Sequence, residues 1–267
     1  MLVDKKQIAR QFSRAAPQYD QAATVQNKMA DALYELLPEE IGDPNSILDL
    51  GCGTGYLTAK LAQKYSCAEV VGLDIAGGML DSASKFFVQD KKLTASKPRL
   101  VQGDIEALPI DANSCDLVVS NAALQWTNFA TSLQEIERVL VPGGYCLIGT
   151  FMEGTLQEWH RALARVERNL SHLMPPQVFF EGCVEHVGLA LLQANSEEYL
   201  LPHGSGKDLL RSTKEVGATN AQKDRGRGLM GKQSYQNILN ALEREFASNN
   251  YYSRYRSLYL LIQKVSQ

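Results

Sequence analysis

Alternating strands and helices through the middle of this 267-residue chain predict an α/β fold built on a mostly parallel sheet covered on both faces. Three observations carry that expectation. Short apolar runs recur between helical stretches from Asn45 to Phe151. The first run stops at a glycine loop, Gly51-Cys52-Gly53-Thr54-Gly55. Polar residues then close the next three runs, at Asp74, Asp104 and Asn121. In a parallel sheet such ends converge on one crevice.

The first forty residues read as two helices. Ile8, Phe12, Ala15 or Ala16 and Tyr19 recur at helical spacing, with Asp4 and Gln7 placed like a capping box and Pro17 interrupting. Val25, Met29, Leu33 and Leu36 fit a second face, ended by Pro38. Strands are then predicted at Ser46–Leu50, Glu69–Asp74, Arg99–Asp104, Cys115–Asn121 and Tyr145–Phe151. Helices are predicted at Tyr56–Tyr65, Met79–Val88 and Phe129–Leu140, the last closed by Pro142-Gly-Gly. Beyond Phe151, helical stretches are expected at 155–172 and 180–193 around Pro175-Pro176, with a strand near Glu197–Leu201. Lys207–Val216 and Tyr235–Phe246 read as helices, and the alternation from Tyr255 to Ile262 suits a closing strand. The long loop from Lys91 to Lys97 and the Gly77-Gly78 pair look atypical.

Composition narrows the function classes. The chain is 45% hydrophobic and 21% charged, the range of ordinary globular proteins. No uncharged apolar run is long enough to span a membrane, and the N-terminus has no apolar stretch of signal-peptide length. Five scattered cysteines without a CxxC, and four dispersed histidines, argue against a disulfide framework or a metal site, so a reducing cytoplasm is expected. The net charge of −3 does not suit a nucleic-acid partner. Charge is uneven, however. Residues 203–232 carry Lys207, Arg211, Lys214, Lys223, Arg225, Arg227 and Lys232 against only Asp208, Glu215 and Asp224. That stretch is either a solvated face or a docking patch for an acidic partner.

The glycine loop is the strongest chemical signal. GxGxG, with Asp49 two positions before its first glycine, differs from the dinucleotide fingerprint GxGxxG, and no Gly-Lys-Ser/Thr follows to make a P-loop. A carboxylate at Asp74 can accept hydrogen bonds from both hydroxyls of a ribose. Asp104 could take an exocyclic amine of adenine, and Asn121 ends the next strand beside them.

Together these residues resemble the class I S-adenosylmethionine-dependent methyltransferases over about residues 45–151. The motifs are DLGCGTG, then LD at 73–74, GDIEALP at 103–109, SNAALQW at 120–126 and LVPGG at 140–144. The resemblance implies a Rossmann-like sheet of seven strands whose last strand is antiparallel. It also implies S-adenosylmethionine as cofactor. Gly51, Gly53 and Gly55 would pack against its methionine part, with Asp49 and Cys52 in the same loop. Asp74 and Ile75 would hold the ribose, Asp104 and Ile105 the adenine, and Asn121 with Ala122 the region near the sulfonium.

The acceptor is approached by exclusion. Adenine amino-group enzymes need an (Asn/Asp)-Pro-Pro-aromatic turn, whereas Asn121 precedes Ala-Ala-Leu. Pyrimidine C5 enzymes need a nucleophilic cysteine, usually after Pro, and none of the five follows Pro. Small molecules and carrier-bound acyl groups remain. The flanks then matter: Lys6–Gln26, with Phe12-Ser13-Arg14 and Tyr19-Asp20, is similar to the N-terminal lid of malonyl-[acyl-carrier protein] O-methyltransferases of biotin synthesis. Asp208–Asn220 and Gly228-Leu-Met-Gly231-Lys232 carry a second likeness.

That resemblance implies residues 1–42 as a helical lid and 43–267 as the methyltransferase domain, with a helical insertion after the fifth strand within about 151–232. It implies methylation of the free carboxylate of a malonyl thioester, on acyl-carrier protein or coenzyme A. Tyr19 and Gln26 are candidates for lining the site, Trp126 for walling the acceptor pocket, and Arg14 or Arg227 for meeting the malonyl carboxylate. Tyr19 and Trp126 could equally be packing residues. Lys207, Arg211, Lys214, Arg225, Arg227 and Lys232 are the candidates for docking the carrier protein. The same core motifs would also serve a methyltransferase of another small acid or a quinone-type ring, or a non-catalytic module that binds the cofactor.

Overall fold

The apolar runs form strands and the amphipathic stretches cover them in a computed structural model that describes residues 4–93, 97–166, 174–215, 232–246 and 250–265. The chain opens with helix α1 (Lys5–Ala15), capped by the Asp4 carboxylate, which accepts the Gln7 N–H at 3.1 Å. Pro17 falls in a short 3₁₀ turn leading to α2 (Tyr19–Ala22) and α3 (Thr24–Glu35). Where two helices were expected there are three, because the proline cannot continue α1. Then follow β1 (Ser46–Leu50), α4 (Tyr56–Lys64), β2 (Glu69–Asp74), α5 (Gly77–Gln89), β3 (Arg99–Gln102) and β4 (Cys115–Asn121). The central region closes with α6 (Phe129–Val139) and β5 (Leu140–Phe151). The strand absorbs Pro142-Gly143-Gly144 as a bulge, its register jumping between Cys115↔Leu140 and Leu117↔Tyr145.

The last third comprises α7 (Gln157–Ala164), α8 (Gln177–His186), β6 (Leu189–His203), α9 (Gly206–Glu215), α10 (Lys232–Glu245) and β7 (Tyr251–Lys264). One expectation fails here. The helix predicted over 180–193 stops at His186; Gly188 takes φ +77° and the chain enters β6, a strand of 15 residues. A left-handed glycine ends a helix at little cost, and the strand bonds β7 along its whole length. The insertion after β5 is therefore helices plus a long antiparallel arm.

The seven strands lie in the order β3-β2-β1-β4-β5-β7-β6. β1 pairs in parallel with both β2 and β4, and β7 runs antiparallel to β5 and β6. Successive residues of β1 face opposite layers: Ile47 packs with Met29, Leu33 and Leu61, Leu48 with Leu133 and Ile136. A third core, built on Trp159, Leu209, Ile238 and Leu242, joins α7, α9 and α10 to Tyr251 at the start of β7. The reversal of strand order at β1/β4 opens a crevice at the strands' carboxyl ends, where ligands bind in such sheets.

Candidate active site

The crevice is a cleft lined by residues of α1, the glycine loop and the carboxyl ends of β2, β3 and β4. The glycine loop forms its floor. Gly51 takes φ +71° at the end of β1, where a Cβ would come 2.2 Å from the Cβ of Ala123. Only glycine lets the loop pass that close. The Gly51 and Cys52 N–H groups both donate to the Leu73 carbonyl, tying the loop to β2, and Gly55 leads into α4. Gly53 lines the cleft and donates its N–H to Asp74 Oδ2 at 2.9 Å. The other Asp74 oxygen accepts the Ala76 N–H at 2.7 Å. Burial pushes the Asp74 pKa up, while these backbone N–H bonds hold it down.

Asp49, Cys52 and Gly55 support the loop from behind and are not on the cleft wall. Asp49 is buried and accepts from Thr58 Oγ1 at 2.6 Å; burial lifts its pKa to about 7. The Cys52 thiol is buried against Gly72 and its pKa is pushed well up, so it is a packing group and no nucleophile.

Ile75, Met79 and Ile105 give the cleft an apolar slot bounded by Asp74 and Asp104. At the end of β4, Asn121 donates from Nδ2 to the Gln26 carbonyl at 2.9 Å, while its Oδ1 is buried without a hydrogen-bond partner among the described residues. Gln26 thus acts through its backbone, and its side chain is not on the cleft wall. Ala122 sits at φ +52°, a strained conformation for a residue with a Cβ. The Gly149 carbonyl accepts its N–H at 2.8 Å, and Gln125 Nε2 donates to its carbonyl at 2.7 Å.

Aromatic rings close the far end. Phe12 meets Trp126 edge to face at 5.7 Å between centroids and Tyr19 at 6.3 Å. The Tyr19 phenol is driven further toward its protonated form by burial, then by the charges of Asp74 and Asp20.

Several predicted residues are not brought here. Arg14 is exposed and off the cleft wall, because it stands two residues past Phe12, about 200° round the helix. Lys207 and Arg211 are exposed on α9, with Arg211 paired to Asp208 at 3.1 Å. Arg225 and Arg227, and the side chains of Lys214 and Lys232, lie outside the described residues.

Conversely, Lys5, Ile8 and Phe12 line the cleft from α1, though only the apolar periodicity of Ile8 and Phe12 stands out in the sequence. Gly78 also gains a reason: a Cβ there would come 2.7 Å from the Ser13 carbonyl oxygen, and its N–H donates to Ser13 Oγ at 3.2 Å. α1 can lie on α5 only over that glycine.

Comparison with known proteins agrees with this geometry. The profile of a methyltransferase domain matches residues 48–148. A malonyl-[acyl-carrier protein] O-methyltransferase of Nitrosospira multiformis is 33% identical over 90% of this chain and 83% of its own length. The enzyme of the same name from Gallionella capsiferriformans is 36% identical over 91% of this chain and 85% of its own. Geranyl diphosphate C-methyltransferase from Streptomyces coelicolor shares the fold, with a TM-score of 0.56 over 88% of this chain and 78% of its own, at 14% identity. From its matched length and its relatives, the chain belongs to the malonyl-[acyl-carrier protein] O-methyltransferase family.

Proposed function

We infer that this chain transfers a methyl group from S-adenosylmethionine to the free carboxylate of a malonyl thioester carried by acyl-carrier protein, as in the pathway to biotin. The observation that carries the reading is that one cleft is lined both by Gly51, Gly53, Asp74 and Asp104 and by the aromatic Phe12, Tyr19 and Trp126, with Asn121 among them.

The residues present fit the cofactor. Beside Gly53 there is open space that a side chain would occupy. Asp74 would hold the ribose hydroxyls with its remaining lone pairs, next to Ile75. Asp104 and Ile105 would hold the adenine, and Asn121 with Ala122 would border the region of the sulfonium. When bound, S-adenosylmethionine supplies a methyl group on a positively charged sulfur, the electrophile of the transfer.

A malonyl carboxylate, with an ordinary pKa of about 4, is already an anion at neutral pH and needs no general base. The site's task is to orient that anion and keep water away from it. Tyr19 suits the first part. Its phenol stays protonated, so it can donate one neutral hydrogen bond that orients the carboxylate and leaves its charge on oxygen. Phe12 and Trp126 suit the second, as apolar walls. In this reading α1 and α2 of the 1–42 segment act as a lid, while α3 packs through Met29 and Leu33 into the core beside β1.

Lys207 and Arg211 on α9 are proposed to meet the acidic carrier protein. α9 touches α2, so a carrier held there would stand at the aromatic end of the cleft. A cytoplasmic location is part of this reading, supported by five scattered cysteines without a CxxC.

The test is mass spectrometry of malonyl-acyl-carrier protein incubated with S-adenosylmethionine and the chain. Gain of one methyl is expected, with none on succinyl or acetyl carrier. No gain, with the cofactor still bound, would overturn the malonyl assignment. Equal turnover of malonyl-coenzyme A would overturn the docking role of α9.

A further inference from the structure

One side of α1 reaches both ends of the cleft. Lys5 and Phe12 both line it, and the seven steps between them span roughly 10 Å at an ordinary helical rise. The Lys5 ammonium lies 2.6 Å from Asp104 Oδ2 and 3.0 Å from Glu106 Oε2. Glu106 accepts the Asn128 N–H on its other oxygen at 2.9 Å. Asn128 in turn caps α6, accepting the Thr131 N–H at 3.2 Å. It follows Trp126 and Thr127 directly, and both of these line the cleft. One lysine therefore ties α1 to the carboxylate at the end of β3 and, through Glu106, to the turn that carries the aromatic wall. Two turns further along α1, the Phe12 ring packs on Trp126 itself.

Asp104 is not used up by these contacts. Oδ1 takes the Glu106 N–H at 3.0 Å and Oδ2 takes Lys5, which leaves one lone pair on each oxygen for a ligand. Lid contact and ligand contact can thus share the carboxylate.

We propose that Lys5 is a positioning residue that couples closure of α1 to occupancy of the adenine end of the cleft, so that the Phe12–Trp126 wall is set when the cofactor is in place. The proposal rests on the cofactor reading above. The physics is linkage. A ligand held between α1 and the floor binds the closed form better, so whatever favours closure lowers the apparent Kd, and the ligand in turn favours closure. Both Lys5 pairs are partly exposed, which limits the effect to a modest factor.

The experiment measures S-adenosylhomocysteine binding by calorimetry and amide hydrogen exchange over residues 5–15, for the parent chain, Lys5→Met and Lys5→Arg. In the parent, the ligand should slow exchange in α1. Lys5→Met should raise the Kd roughly three- to tenfold and lose most of that protection. Lys5→Arg should retain both within about twofold, which separates a charge effect from a folding defect. Glu106→Gln, which leaves Asp104 in place, should give a smaller rise of the same sign. An unchanged Kd in Lys5→Met overturns the proposal alone. So does a raised Kd with ligand protection of α1 intact, since Lys5 would then act only by touching the ligand. Failure of the parent to bind overturns the cofactor reading and this proposal with it.

Discussion

Two segments outside the central sheet are attached to it by different physics. Helices α1 and α2 hold on mainly through scattered contacts to cleft residues, whereas α3 is packed into the core beside β1. Lys5 pairs with Asp104 and Glu106, Ser13 meets Gly78, Phe12 packs on Trp126, and Thr54 Oγ1 donates to Asp20 at 2.5 Å. The C-terminal unit of α7, α9 and α10 has a hydrophobic core of its own and hangs on β6 and β7, which run directly into the sheet. Partly exposed ion pairs and single ring contacts are each worth about 1 kcal/mol or less, whereas a buried leucine is worth several. Helices α1 and α2 can therefore move while the fold stays intact, and neither α3 nor the C-terminal unit can be loosened without a cost to stability.

The largest effect should come from Leu242, fully buried in the third core. Leu242→Ala is expected to lower unfolding free energy by about 2–5 kcal/mol, read by urea denaturation. Binding of S-adenosylhomocysteine to the folded fraction should stay within about twofold, because no residue of that core lines the cleft. A large loss of binding would mean that the unit shapes the nucleotide end after all.

The ground beneath the N-terminal helices carries a pH signature. Asp49 has its pKa raised to about 7 by burial, against an ordinary value near 4. The folded chain thus holds more protons than the unfolded one between these values. Asp49 must therefore make stability fall as pH rises from about 4 to about 7, and contribute no further slope above. The change is on the order of 4 kcal/mol. Asp49→Asn, which can still accept from Thr58, should remove that slope in urea midpoints taken across pH 5–8. Persistence of the same slope would place its origin elsewhere.

Phe12→Ala probes the other kind of attachment. It removes the ring packed on Trp126 without touching either main core, so the expected loss is in methyl transfer, about tenfold in kcat/KM. Stability should change by about 1 kcal/mol at most. Steady-state rates beside thermal melts decide it. An equal loss in stability and in rate would make α1 a structural element like the C-terminal unit.

The same contrast decides what could be read without coordinates. The glycine loop, Asp74, Asp104 and Asn121 were legible because each is a local signal at the end of an apolar run, and the parallel sheet then brings them together. The fold class was legible for the same reason. Lys5 was not, since its partner is 99 positions away and one lysine in a helix carries no mark of an ion pair. Arg14 lies off the cleft wall for a reason present in the sequence: the spacing that turns Phe12 inward turns Arg14 outward. β6 was partly missed because Leu189-Ala-Leu-Leu suits a helix as well as a strand, and only pairing with β7 decides between them.

The smallest effect concerns the surface of α9. Lys207 and Arg211 are both exposed, but the Asp208 carboxylate partly neutralises Arg211, so the two should not contribute equally. Lys207→Ala is expected to raise KM for malonyl-acyl-carrier protein by roughly two- to threefold at low salt, and Arg211→Ala by less. Rim charges act mainly on encounter, so kcat should hold steady and both effects should fade at about 0.5 M salt, where the Debye length is only a few ångströms. A malonyl thioester without the acidic protein supplies the control, since neither substitution should alter its KM. An increase that survives high salt, or that appears equally with the small thioester, would move these side chains from steering the carrier to shaping the mouth of the cleft.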